Sequence, residues 1–324
     1  MYNPPFSISS KAINLIAKIS AQIERYAIRM EQSDSLKLRK ANRIKTIHSS
    51  LAIEGNNLSE GEVMAILDGK NVIAPQKEIL EVRNAIKTYE LYSTLNPFSI
   101  EDMLKAHLTM MSGLVDDAGM FRRRGVGVFD GTTAVHIAPP AERVKDLMND
   151  LFTWLEYSED HLLIRSCVFH YEFEFIHPFA DGNGRIGRLW QSLILGKLNP
   201  LFEHLPVENM VYANQQAYYD AITQSSAKGD SQPFIDFMLH EILNALEDHK
   251  GQTVDEIGEV NSLSENEIKI LGLIRSDRHM SAKRLAEEIG ASPRQVERIL
   301  AGLKERSVIR RVGANRNGYW EVIG

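Results

Sequence analysis

Four residues able to carry chemistry, His177, Asp181, Arg185 and Arg188, fall within one stretch: His177-Pro178-Phe179-Ala180-Asp181-Gly182-Asn183-Gly184-Arg185-Ile186-Gly187-Arg188. A histidine can accept a proton near neutral pH. Gly182, Gly184 and Gly187 let backbone N–H groups approach a ligand closely, and a run of such groups leading into a helix makes an anion nest. Arg185 and Arg188 are three apart, so on one helix their guanidinium forks face the same way and suit a polyphosphate. Asp181 is placed to hold a divalent cation, because Mg²⁺ takes one or two carboxylates together with phosphate oxygens. The stretch reads as a loop for nucleotide phosphate chemistry with a histidine base.

The stretch fills every fixed position of His-x-Phe-x-Asp/Glu-Gly-Asn-Gly-Arg-x-x-Arg, and in this it resembles the signature of the Fic family. Most members of that family move AMP from ATP onto a hydroxyl side chain of a target protein. The resemblance implies that His177 deprotonates the target hydroxyl and that Asp181 binds Mg²⁺. It also implies that Gly182, Asn183, Gly184, Arg185, Ile186, Gly187 and Arg188 cradle the phosphates of ATP.

A helix is expected over residues 36–53, basic in its first half and stopped by Gly55-Asn56-Asn57. Near its end stands Ser50-Leu51-Ala52-Ile53-Glu54-Gly55. A glutamate beside a helix end is ordinarily a solvated side chain. The Fic family, however, often carries an inhibitory helix of the pattern Ser/Thr-x-x-x-Glu-Gly/Asn, which Ser50, Glu54 and Gly55 match. The resemblance implies that Glu54 pairs with Arg188 and withdraws its fork from the γ-phosphate, leaving ATP in a geometry unsuited to in-line displacement.

Periodicity predicts further helices over residues 9–31, 77–95, 99–114, 142–156, 161–176, 210–225 and 233–247, and Ser59-Glu60-Gly61-Glu62 starts another, with Ser59 as cap and Glu62 three residues on. Residues 125–140 break the helical pattern. Val126 and Val128 alternate with Gly127, Asp130-Gly131 signals a turn, and Thr132 to Ile137 returns rich in β-branched residues, so a short hairpin is expected. It stands where Fic proteins carry a hairpin, the flap, that lays a target segment down by strand pairing. Ala138 occupies a position more often proline. The resemblance carries Thr133, Ala134, Val135 and His136 into the nucleotide-binding set, and Tyr218, one of a Tyr-Tyr pair, to the adenine side. On its residues alone Tyr218 reads as a core tyrosine.

The segment 161–176 admits a second reading. Phe169, Tyr171, Phe173 and Phe175 alternate with His170, Glu172 and Glu174, the period of a strand, and Gly182-x-Gly184-x-x-Gly187 would then imitate a dinucleotide fingerprint. An uninterrupted helical start of ten residues precedes it, a lone Gly-x-Gly-x-x-Gly is a weak signal and no βαβ series follows, so the helix is preferred. His161, His170 and His177 lack adjacent ligand pairs at i, i+4 spacing, and His170 reads as structural rather than metal-binding.

The 324 residues allow two or three domains, and 44% hydrophobic with 25% charged residues is the make-up of a globular protein. The net charge of −6 predicts no general nucleic-acid affinity. A single cysteine, Cys167, excludes an internal disulfide and suits a reducing compartment. No signal peptide and no uncharged stretch near the roughly 20 residues of a membrane span are evident, so a cytoplasmic protein is expected. Residues 249–260 read as a linker. Beyond them, residues 262–324 hold 12 lysines and arginines against 8 acids, leaving −10 on the remainder. Three capped short helices and two strands there resemble a winged helix-turn-helix, whose third helix would expose Arg294, Gln295 and Arg298, with Arg316 on the wing. Such modules bind DNA or serve protein contact and dimerisation, and both remain open.

The expected fold is therefore mainly α: a Fic-type helical bundle with a short β-hairpin flap, plus a small C-terminal winged-helix domain. The expected division is an N-terminal helical region at 1–98, a catalytic core at 99–250 and the winged helix at 262–324. The expected function is a protein adenylyltransferase acting on a Ser, Thr or Tyr hydroxyl, autoinhibited by Glu54. Alternatives are removal of AMP by the same site and a DNA-binding regulator whose Fic domain senses nucleotide. A homodimer is compatible with the sequence, and the target is not legible because a flap pairs backbone.

Overall fold

In the computed structural model the described residues are 2–32, 35–125, 127–130, 133–248, 265–289, 292–305, 308–312 and 319–322. The linker at 249–260, the capping Ser264 and Arg316 of the wing lie outside them, and so do the side chains of residues 126–137 and of Arg294. The chain divides into two compact units, Met1–Val254 and Asp255–Gly324. No helix among the described residues is long and apolar enough to cross a membrane.

The first unit is built around α7 (Leu162–Ile176) and α8 (Asn183–Leu198), joined by the loop 177–182. Leu163, Val168, Phe169, Phe173 and Ile176 of α7 and Ile186, Leu189, Trp190 and Ile194 of α8 are all within 2% of complete burial. Polar residues of α7, among them His170 and Glu172, are buried as well. That resolves the strand-like alternation: α7 is covered around most of its circumference, with Phe175 left exposed, so its apolar residues need follow no single helical face.

Around this pair lie α1 (Ser10–Gln32), α2 (Ser35–Ile53), α3 (Glu60–Leu67), α4 (Gln76–Glu90), α5 (Ile100–Met111), α6 (Ala141–Tyr157) and α11 (Gln232–Asp248). One hydrophobic cluster runs from Ala12 to Leu246. Ser59 and Glu62 form the expected capping box, and Ser99 caps α5 by accepting from the Asp102 N–H. The helix expected over 77–95 ends at Glu90 and continues as a 3-10 turn, Tyr92–Thr94. The helix expected over 210–225 is two, α9 (Val207–Ala213) and α10 (Gln215–Lys228). Asn214 separates them, its side-chain amide donating to the Met210 carbonyl and to Glu241, an alternative to helical continuation.

The hairpin pairs β1 (Gly127–Asp130) with β2 (Thr133–Ile137) antiparallel. Val128 opposes His136 and Phe129 opposes Ala134, so β2 carries one extra residue, a bulge at Val135.

The second unit holds α12 (Glu265–Ser276), α13 (Ala282–Ile289), α14 (Pro293–Glu305) and an antiparallel pair, β3 (Ile309–Val312) with β4 (Tyr319–Val322). Ile270, Ile274, Leu285, Val296, Leu303 and Ile309 make its own core. Ser281 and Ser292 cap α13 and α14. Gln295 and Arg298 are exposed on α14, and the Arg311 guanidinium lies 4.8 Å over the Trp320 ring.

Candidate active site

The loop between α7 and α8 is held by side chains that each bond backbone. His177 ends α7 at φ 51, ψ 61, the left-handed region, its N–H still donating to the Phe173 carbonyl at 2.9 Å. That conformation is disfavoured for a residue with a Cβ and persists only where surroundings impose it. Buried Arg122 does so. Its guanidinium donates to the carbonyls of His177 (2.7 Å), Ile176 (3.2 Å), Arg124 (3.0 Å) and Pro139 (2.6 Å), while its own N–H donates to the Pro178 carbonyl.

Asn183 closes the loop from the other side. Its amide accepts from the Phe179 N–H and donates to the Phe179 carbonyl, both at 2.9 Å. His107 of α5 lies flat on Phe179, ring centroids 3.7 Å apart. Its Nδ1 accepts from the Gly119 N–H, so the proton sits on Nε2, which donates to the Asp181 carbonyl at 2.9 Å. Burial lowers the pKa of this ring and keeps it in that neutral form. Gly182 begins α8 at φ +86, and a Cβ there would overlap Met111.

Both motif arginines are occupied by carboxylates. Arg185 donates to Asp181 Oδ1 at 2.9 Å, and the Gly182 N–H donates to the same oxygen. Arg188 donates to the Ser50 hydroxyl (3.1 Å), the Ser50 carbonyl (2.9 Å) and Glu54 Oε1 (2.7 Å). Burial works against the Arg188 charge, but the surrounding acidic groups, Glu54 foremost with Tyr218 and Glu174, together outweigh it and raise the pKa. Glu54 lies so close over the start of α8 that a Cβ on Gly184 would overlap its carboxylate. The structure thus brings together His177, Asp181, Arg185, Arg188, Ser50 and Glu54 around the N-terminus of one helix. A helix start with two guanidinium groups is an anion site, and here two carboxylates of the chain stand in for the anion.

Several expected residues lie elsewhere in role. The Ile186 side chain is fully buried and can offer a ligand only backbone. The Asn183 amide is spent on Phe179, so it too presents backbone. Tyr218 is 2% exposed, packed against Phe234 and Phe237, with its hydroxyl bonded to His170. The neighbouring Tyr219, 44% exposed, is the member of the pair with an accessible ring. Of Thr133, Ala134, Val135 and His136, the strand backbone alone is described.

The sequence reading missed Arg122, His107 and Glu174. The first two carry no spacing signal, since each bonds backbone remote in sequence. Glu174 had one: it stands four residues after His170 and three before His177, and its carboxylate oxygens lie 3.9 Å from a nitrogen of each. Among the described residues no cluster of ligands suited to a bound metal by side chains alone is present.

Residues 97–195 match the model of the Fic/DOC family, and residues 263–310 match that of a winged helix-turn-helix DNA-binding domain. The crystal structure of a Fic family protein from Desulfovibrio desulfuricans G20 is 40% identical, with a TM-score of 0.73 over 100% of this chain and 99% of that one. The chain belongs to the Fic family. Its C-terminal unit is a winged helix-turn-helix domain. Fic-1 of Caenorhabditis elegans, 21% identical, shares the fold at a TM-score of 0.58 over 74% of this chain and 72% of that structure. The protein adenylyltransferase Fic of Nematostella vectensis is 30% identical over 205 residues, 59% of this chain and 45% of its own length. The Fic chain described here spans less than half the length of the curated relatives it matches.

Proposed function

We propose that this Fic protein is an adenylyltransferase that moves AMP from ATP to a Ser, Thr or Tyr hydroxyl of a target protein and is held inactive by Glu54. The observation that carries the reading is the Arg188 guanidinium, buried at the head of α8 and bonded to Ser50 and Glu54. A fork suited to phosphate, clamped by a carboxylate from another helix, is a phosphate site held in reserve. The adenylyltransferase names of the relatives support the same reading.

In the reaction, His177 takes the proton of the target hydroxyl. The hydroxyl oxygen bonds the α-phosphorus, and the bond to pyrophosphate breaks. The first N–H groups of α8, Arg185 and Arg188 bind the phosphates. The flap, β1 and β2, lays the target segment by strand pairing. Asp181 would hold Mg²⁺, which supplies neutralisation of phosphate charge. Asp181 suits that ion: its side chain is 52% exposed, and both protein donors recorded to it reach one oxygen, Oδ1. Metal uptake by Asp181 would also free Arg185 for phosphate.

AMP incorporation from labelled ATP tests the reading. Glu54→Gly is expected to label itself or a lysate protein strongly, and Glu54→Gly with His177→Ala to label nothing. No labelling by Glu54→Gly sinks the proposal. Incubating the labelled product with wild type and measuring AMP release decides whether the same site also works in reverse. A second reading, a DNA-binding regulator with a nucleotide-sensing Fic domain, is favoured by the winged helix-turn-helix match at 263–310. We keep 1–98, 99–250 and 262–324 as the regions through which inhibition, catalysis and DNA contact would act.

A further inference from the structure

Glu174 is a carboxylate with no use in the scheme above, although it lies at its centre. The side chain is 12% exposed, Oε2 is 3.9 Å from His177 Nδ1, and Oε1 is 3.9 Å from His170 Nε2. Oε1 is buried without a hydrogen-bond donor, an unusual state for a buried acceptor. His170 cannot supply one. Its Nδ1 faces Gln191 Oε1 at 2.6 Å and so carries the proton, and its Nε2 accepts from the Tyr218 hydroxyl at 3.1 Å. Burial keeps that ring neutral, with a pKa near 3. Glu174 also borders Gly187, where a Cβ would meet Oε1.

We propose that Glu174 is the positioning residue of His177: its carboxylate faces Nδ1, directs Nε2 to the target hydroxyl, and favours the imidazolium formed when the proton is taken. The proposal rests on His177 being the base. In the step, the hydroxyl proton moves to Nε2 while Nδ1–H stays against Glu174, so the charge created on the ring forms beside an anion. A 3.9 Å separation falls short of a formed hydrogen bond, and such contacts tighten once substrate is in place.

The groups facing Glu174 are His170 and His177 on its own helix, Arg188 from α8, Glu54 from the end of α2, and Tyr218 and Tyr219 from α10. Burial pushes the Glu174 carboxyl up to about 8. Arg188 opposes that rise and Glu54 adds to it. Two carboxylates thus compete for one guanidinium.

The test uses the full chain in the Glu54→Gly background, comparing it with Glu54→Gly carrying Glu174→Gln or Glu174→Asp. The isosteric Glu174→Gln is expected to lower kcat roughly tenfold or more with the KM for ATP changed less than about twofold. The acid limb of the kcat profile should move to lower pH by about one unit, since His177 loses the charge that favoured its protonation. Glu174→Asp should recover part of kcat and part of the limb position. Unchanged kcat and limb in a labelling-competent Glu54→Gly background overturn the positioning role and leave the transferase reading standing. A loss of kcat with a lowered Tm and an unmoved limb also overturns it, as packing alone would do that. Absence of labelling by Glu54→Gly itself overturns both.

Discussion

At the scale of single residues, most of the reactive set was legible because the motif specifies side-chain types at fixed spacing. Direction was not legible. Asn183 and Ile186 stand inside the motif, yet the first staples Phe179 and the second fills the core. Tyr218 and Tyr219 are adjacent, and the sequence does not say which ring is covered. Glu54 and Asn183 each lead to a prediction. Glu54→Gly leaves Arg188 buried beside Ser50 without its carboxylate, so it should lose about 1–3 kcal/mol of stability in urea unfolding. ATP with Mg²⁺ should restore much of that loss and raise Tm more in the variant than in wild type. Asn183→Ala should cost about 1–3 kcal/mol and lower labelling by the Glu54→Gly protein, since the loop loses both bonds to Phe179.

Elements were legible where one face is buried and obscure where every face is. The period of α7 suggested a strand because Phe169 and Phe173 are as buried as His170 between them. The break at Asn214 escaped periodicity because it is confined to one residue at φ −117, ψ 34, whose side-chain amide bonds the Met210 carbonyl and Glu241. Between elements, Arg122 joins the end of α7 to both roots of the hairpin, Arg124 and Pro139. Arg122→Lys keeps the charge but not the fork, and a fall in kcat of tenfold or more is expected, read by labelling in the Glu54→Gly background. A pH dependence belongs to this scale as well. Burial raises Glu172 to about 7, although the Tyr2 hydroxyl donates to it at 3.0 Å and partly opposes the rise. Glu208 is raised by burial to about 7. Each of these two carboxyls keeps in the folded state a proton that the unfolded chain loses between about pH 4.5 and 7, so its own contribution to stability falls as pH rises through that window. Glu172→Gln should therefore gain stability relative to wild type from pH 5 to pH 8, read as the difference between their urea midpoints.

For the whole molecule, charge separates the two units: residues 262–324 are basic and the remainder acidic. The bundle and the winged helix were both foreseen, the first from a dense motif and the second from three caps and a hairpin pattern. The shared core of the N-terminal helices with α7 and α8 was not, because a sequence shows which faces are apolar and not which ones meet. If the winged helix contacts DNA, Arg298→Ala in the full chain should weaken binding and reduce the salt slope by about one unit. Fluorescence anisotropy on duplex DNA across a salt series reads both, and salt-independent binding would sink the idea.

The segment that carries Glu54 is anchored unevenly. Ile47 and Leu51 of α2 are buried in the common core, while Glu54 follows the last helical residue, its N–H bonding back to Leu51 and Gly55 turning at φ +89. Removal of α2 from the body would amount to unfolding, whereas opening of Glu54 and Gly55, past its last residue, exposes no buried apolar side chain. Relief of the proposed inhibition would then be a local opening, with a free energy far below that of the fold. The active fraction behaves as a thermally set population, so labelling by wild type should climb more steeply with temperature than labelling by Glu54→Gly. Amides of Glu54 and Gly55 should likewise exchange with solvent faster than that of Ile47.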